Sequence, residues 1–433
     1  MKKTVFIAAA LLTASIMTSG KTSPDDSFGH YFSDSTLRVD YILGGDTART
    51  DILFAGARRS PDWAGRRSDL SSLPLAGNGT VTVTDAATGD TIYRQSFSTL
   101  FQEWLATDEA RHLSRSYEHV ALMPLPLRDA EVSLQLFNSR RQSVASHRWH
   151  YSPTDLLVAR ETRAALPYRV IHEATDTAGG RPVIEIAILA EGYRQQDMDS
   201  FYMHAQRAAD EILSYEPFRR YAGRLRFTAV ASASTDSGVS IPRLGRWADT
   251  AFGSHFSTFY SDRYLTTPHL FKVHDALAGL PYSHIIILAN TDEYGGGGIY
   301  NNYLLTTARH PSFRPVVVHE FGHSFGGLAD EYFYEDDVME DSYPTDTEPW
   351  EPNITTLCDF GSKWQKMLKK GTPVPTPPAD RDKYPVGLYE GGGYSTHGVY
   401  RPADECRMRN NTYPAFCPVC SASLERVIRF YTR

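Results

Sequence analysis

Ser312-Phe-Arg-Pro315-Val-Val-Val-His319-Glu320-Phe321-Gly322-His323-Ser-Phe-Gly326-Gly327 reads as one helix with both ends marked. Ser312 stands at the N-cap. Pro315 is tolerated in the first turn, where its missing N–H would have no partner, and the paired glycines stop the run. On such a helix, residues four apart share a face, so His319 and His323 present their imidazoles together with Glu320 beside them. Two histidines at this spacing suit a zinc ion. The glutamate between them is not a ligand but the base for a water whose pKa the metal lowers toward about 7. A catalytic zinc wants three protein ligands and one open position. The chain that follows, Leu328-Ala-Asp330-Glu331-Tyr332, offers carboxylates that can reach back; Asp330 is the choice for the third ligand and Glu331 its nearest rival.

Around this helix the pattern is of mixed α and β type. Val183 to Leu189, Leu225 to Ala231 and His284 to Ala289 are apolar runs of buried-strand length, and Phe201, Ala205, Ala208, Ala209 and Ile212 mark one face of a helix between the first two. Gly295 to Gly298 leads into Ile299 to Leu305, where glycines permit close backbone approach, as an edge strand beside a cleft requires. Ser421 to Tyr431 is expected to be a closing helix. Thr372 to Pro378 and Gly391 to Gly393 read as surface loops. The acidic residues Glu335, Asp336, Asp337 and Glu340 read as a solvated face or a calcium site.

From about Leu37 to Tyr151 the texture is different, with short alternating runs punctuated by turns. Thr80 to Thr84, then Ala87-Thr-Gly-Asp90, then Thr91-Ile-Tyr93 reads as a hairpin, and Glu131 to Leu136 with Ser143 to Ala145 reads as another. This is the signature of a β-sandwich, with no catalytic constellation in it. The expected organisation is a signal peptide at 1–20, a β-sandwich module at 21–165 and a catalytic domain at 166–433, an α+β chain overall.

Composition sets outer limits. The 433 residues are 41% hydrophobic and 22% charged, which is globular usage. A net charge of -7 without a long Lys/Arg run leaves no electrostatic footprint for nucleic acid. Met1-Lys2-Lys3 and the apolar run from Val5 to Met17 have the length of an export signal and not of a membrane span, so a periplasmic, cell-surface or extracellular location is expected. All four cysteines, Cys358, Cys406, Cys417 and Cys420, lie C-terminal to the helix. In an oxidising compartment they allow two disulfides with three possible connectivities; the competing reading is a Cys-based zinc site on Cys417-Pro-Val-Cys420, which lacks an evident second pair.

The stretch from His319 to Tyr332 resembles the signature of the M64 metallopeptidases, the family named for a bacterial IgA peptidase and grouped with the metzincins. Gly192-Tyr193, Pro217-Phe218, Ser237-Gly238 and Thr250-Ala-Phe252 are similar to further landmarks of that family, so the likeness runs from about Arg181 to the C-terminus. The resemblance implies zinc, proteolysis, a twisted mixed sheet, an active-site helix and a methionine turn. It implies His319 and His323 as ligands, Glu320 as acid and base, and Met408 in Cys406-Arg-Met-Arg409 as the methionine beneath the metal. The long metzincin motif places its third histidine where this chain has Ala329; Asp330 sits one position further on, and the extra Gly327 can absorb the shift. Tyr332, Tyr413 and His397 are candidates for lining the site.

The function expected is therefore that of an exported zinc endopeptidase acting on a protein or peptide. The alternative, from a different class, is a noncatalytic surface or glycan-binding protein that uses its β-module. Neither the substrate nor the oligomeric state is legible, and immunoglobulin cleavage is not carried over from the family's name.

Overall fold

A computed structural model describes residues 28–177, 182–333 and 343–433. The export signal at 1–20 and the acidic residues Glu335, Asp336, Asp337 and Glu340 lie outside the described residues. The chain is α+β, beginning with a β-rich region.

A one-turn helix α1 (Phe28–Tyr31) leads into β1 (Phe32–Gly45), β2 (Thr50–Pro61), β3 (Gly79–Asp85) and β4 (Thr91–Phe97). After helix α2 (Leu100–Leu105) come β5 (Arg115–Pro126), β6 (Ala130–Phe137), β7 (Ser143–Tyr151) and the short β8 (Ala159–Arg160). They form two four-stranded sheets, in the orders β5-β1-β2-β8 and β4-β3-β6-β7. Alternation explains the second sheet: in β6, Ala130, Val132, Leu134 and Leu136 are buried while the residues between them are half-exposed. These side chains share one core with Leu37, Val39 and Tyr41 of the first sheet. Both expected hairpins form, and Gly89 supplies the positive φ of 78° that the β3–β4 turn requires.

The remainder is built on a six-stranded sheet. β9 (Tyr168–His172), β10 (Ile184–Glu191), helix α3 (Met198–Ser214), β11 (Leu225–Val230), helix α4 (Leu270–Ala276) and β12 (His284–Ala289) are followed by β13 (Gly296–Ile299), β14 (Tyr303–Thr307) and helix α5 (Phe313–Gly326). The order is β13-β14-β12-β10-β11-β9, with four parallel strands in the middle and an antiparallel strand at each edge. Strands covered on both faces need apolar side chains on both, and every residue of β12 is buried. One face packs on α3 and α5, the other on α4 and the loops from Val239 to Leu280. The hairpin β15 (Tyr389–Gly392) and β16 (Ser395–Arg401) and a final helix α6 (Pro418–Tyr431) complete the chain.

Two expectations are corrected and one is refined. Ile299 to Leu305 is not one strand: the glycines are themselves the edge strand β13, and a turn with Asn301 at φ 48° reverses the chain into β14. The last helix starts at Pro418 and not Ser421, because Cys417 caps it and a proline fits the first turn. Ser312 occupies the N-cap of α5, but its side chain makes no capping hydrogen bond.

The two regions are tied by charge. Arg38 of β1, buried among apolar residues, is hydrogen-bonded to Asp40 at 2.6 Å and to Asp275 of α4 at 2.7 Å. Burying a guanidinium is tolerable only with such partners.

Candidate metal centre

Helix α5 runs beneath β13 so closely that a β-carbon on Gly298 would lie 2.4 Å from the carbonyl oxygen of Glu320. On the exposed side of that contact, His319 and His323 point their Nε2 atoms at each other, 3.0 Å apart. Each ring is oriented from behind: Nδ1 of His319 donates to the carbonyl of Arg407 at 3.0 Å, and Nδ1 of His323 donates to that of Leu328 at 2.6 Å. With Nδ1 carrying the proton, each Nε2 turns a lone pair inward.

Gly327, in the left-handed region at φ 58°, ends the helix and swings the chain back under it. The returning segment is pinned by Asn353, which is fully buried, accepts from the N–H of Ala329 at 2.7 Å and donates to its carbonyl at 2.9 Å. Asp330 Oδ1 thereby lies 3.0 Å from His319 Nε2 and 3.2 Å from His323 Nε2. Tyr394, from the turn between β15 and β16, donates its hydroxyl to Asp330 Oδ2 at 3.0 Å, and is itself 2.8 Å from the hydroxyl of Tyr332. Three electron-pair donors thus converge, each braced by a hydrogen bond on its far side. This donor set fits a divalent cation: two imidazoles and one carboxylate satisfy a borderline metal, and a cation at their centre relieves the opposition of the two Nε2 lone pairs.

The electrostatics describe the same cluster with protons in the place a cation would take, since metal binding at Nε2 displaces them. Burial pushes Asp330 up, but His323 and the hydrogen bonds from both histidines outweigh it and hold the carboxyl well below its usual range. Burial lowers His323, while Asp330 more than compensates and raises it to about 9. Burial raises Glu320, a shift that His319 and His323 only partly offset. Its carboxylate lies against β13, where a β-carbon on Gly296 would be 2.9 Å from Oε1.

Glu331 does not compete for this position. It faces the opposite way into the interior, fully buried, with Oε1 accepting from Asn353 and from the Cys420 thiol. Met408 is buried beneath α5, its sulfur so near Gly322 that a β-carbon there would sit 2.6 Å away. Tyr332 stacks beside His319, with ring centroids 6.2 Å apart. Tyr413 and His397 are exposed and line no part of the cleft.

The centre opens into a cleft of about 1450 Å³ with walls from both regions of the chain. Arg263 and Tyr264 contribute from the loop before α4, and Gln102 and Glu103 from α2. Glu103 accepts from the Tyr264 hydroxyl, and burial pushes it up to about 7. The β-rich region, in which the sequence shows no catalytic constellation, thus supplies part of the cleft wall. No signal in the sequence marks Glu103, because it occupies the polar side of a six-residue helix. Tyr394 had a fainter signal, in that it follows three glycines.

A helix-borne pair of histidines with a carboxylate closing the set and a glutamate beside it defines a metal-dependent hydrolase. Residues 172–385 and 379–428 match the family model described as IgA Peptidase M64, and residues 27–148 match the one described as Peptidase M64 N-terminus. The chain belongs to the M64 peptidase family and is a metallopeptidase in the general sense of that family. No curated protein matches the chain.

Proposed function

We propose that this chain is an exported zinc endopeptidase in which His319, His323 and Asp330 hold the metal and Glu320 is general base and then general acid. The observation that carries the reading is the convergence of His319 Nε2, His323 Nε2 and Asp330 Oδ1 within 3.2 Å beside a half-buried glutamate. Bound zinc supplies Lewis acidity, polarising a carbonyl oxygen and increasing the acidity of a neighbouring water. Glu320 takes the proton from the attacking water, and its raised pKa makes it a better acceptor than a solvated carboxylate. It then returns the proton to the leaving amine. No covalent intermediate with the protein is needed.

Two features favour a polypeptide over a small amide. Pockets for small molecules run to about 1000 Å³, and this cleft exceeds that. Strand β13 borders it with Gly296, Gly297 and Gly298; the Gly296 N–H is taken by the Arg263 carbonyl at 3.3 Å, and the main chain beyond it can pair with an extended peptide laid alongside.

Substituting Glu320→Gln should lower cleavage of a peptide library by at least about 100-fold, while metal content stays at the wild-type level. Equal cleavage by the variant would refute the mechanism. Export is supported by the apolar run from Val5 to Met17 and is tested by sequencing the N-terminus of the mature protein. Retention of Met1 in the mature chain would sink it.

A further inference from the structure

Directly behind the His319 and His323 pair lies a second convergence that the peptidase reading does not use. Cys406, Cys417, Cys420 and Glu331 are all buried, and one ligand atom from each lies within 4.8 Å of every other. None of these cysteines is in a disulfide, so of the two readings left open by the sequence the two possible bridges are not formed; Cys358, exposed, donates its thiol to the Thr345 carbonyl. The second pair missing from the Cys417-Pro-Val-Cys420 motif is present after all, as one distant cysteine and one carboxylate.

We propose that Cys406, Cys417, Cys420 and Glu331 form a second, structural zinc site with three thiolate sulfurs and one carboxylate oxygen. Two independent observations point to a cation. Glu331 Oε2, in a fully buried side chain, has no hydrogen-bond partner, and an isolated buried carboxylate oxygen is costly unless something positive meets it. The sulfurs, for their part, are approached by backbone donors: the N–H of Cys417 is 3.2 Å from Cys406 Sγ, that of Met408 is 3.5 Å from it, and that of Cys420 is 3.5 Å from Cys417 Sγ. Such N–H groups stabilise thiolates, the form that binds metal. A disulfide between any two of the cysteines would still leave Glu331 Oε2 without a hydrogen-bond partner, and Arg401, whose charge it feels, is paired with Asp404 at 3.4 Å. A four-ligand set closed on all sides, rich in sulfur and without an open position, suits tetrahedral zinc in a structural role.

The site would brace the other centre. Glu331 follows Asp330 directly, and its N–H donates to the Met408 carbonyl at 2.9 Å. Cys406 precedes Arg407, whose carbonyl orients His319. Cys417 and Cys420 open α6. One ion would therefore fasten the Asp330 loop, the Met408 turn and the last helix together.

The first measurement leaves the cysteines intact. The full-length His319→Ala/His323→Ala double variant should retain one zinc per chain by elemental analysis, against two for wild type. Loaded with cobalt, it should show thiolate-to-cobalt charge-transfer absorption, and Cys420→Ser in the same background should lose it. If the double variant holds no metal and wild type holds one, the second site is overturned and the peptidase centre stands. If wild type and double variant both hold one, the second site stands and the peptidase centre fails. Fewer than four free thiols in the denatured wild-type protein would reveal a disulfide and overturn the proposal as well.

Discussion

Asp330 gives its two oxygens different tasks, Oδ1 facing the histidines and Oδ2 accepting from Tyr394. A ligand held on its far side binds more tightly because less freedom is lost on coordination, and removing such a partner typically costs 10- to 100-fold. Tyr394→Phe should therefore weaken metal binding by about that factor in a chelator competition; an unchanged affinity would show that the hydroxyl does not orient the carboxylate. Asp330 was legible because it is local to the helix, reached through one glycine turn. Tyr394 was not, since it arrives from 64 residues downstream. The choice between Asp330 and Glu331 could not be made from adjacency either, because neighbouring residues on an extended chain point in opposite directions.

Helix α5 and strand β13 meet through glycine. Gly298 faces the backbone of Glu320, which cannot step aside, whereas Gly322 faces the end of the flexible Met408 side chain. Gly298→Ala should thus destabilise the protein by about 1–3 kcal/mol and Gly322→Ala by less, measured as shifts in denaturation midpoint; the reverse ranking would contradict this packing. The helix and the central strands were readable from periodicity and end signals. The β13–β14 hairpin was not, because its reversal depends on Asn301 adopting a left-handed conformation that Asn tolerates but does not require.

Buried histidines in both regions make the whole fold sensitive to acid, and burial also lowers His274 of α4 well below its usual value. Burial holds His119 of β5 and His284 of β12 down at about 3, against about 6.5 in an unfolded chain. The native protein keeps both neutral while the unfolded chain takes up protons below about 6.5, so stability is full above that pH and falls as pH drops toward 3. Near pH 5 the loss is about 2 kcal/mol for each histidine. Replacing His119 by Phe, beside the Phe97 ring it already packs on, should remove its share; urea midpoints at pH 7.5 and pH 5 that shift as much in the variant as in wild type would refute it. The two-part organisation was visible as a change of texture along the chain. That the β-rich part would lend Glu103 to the cleft was not, since no local pattern records which surface of one region meets the other.

The carbonyl that orients His319 belongs to a residue 88 positions later in the chain, and the Asp330 loop is likewise anchored to Met408. Synthesis runs from the N-terminus, so a nascent chain that has just completed α5 carries both histidines and the glutamate without the partner that sets the first ring's tautomer. With His319 as a metal ligand, as proposed, proteolytic competence would wait until almost the entire polypeptide has been made and its tail has folded back, and the ribosome would be spared an active protease at its exit.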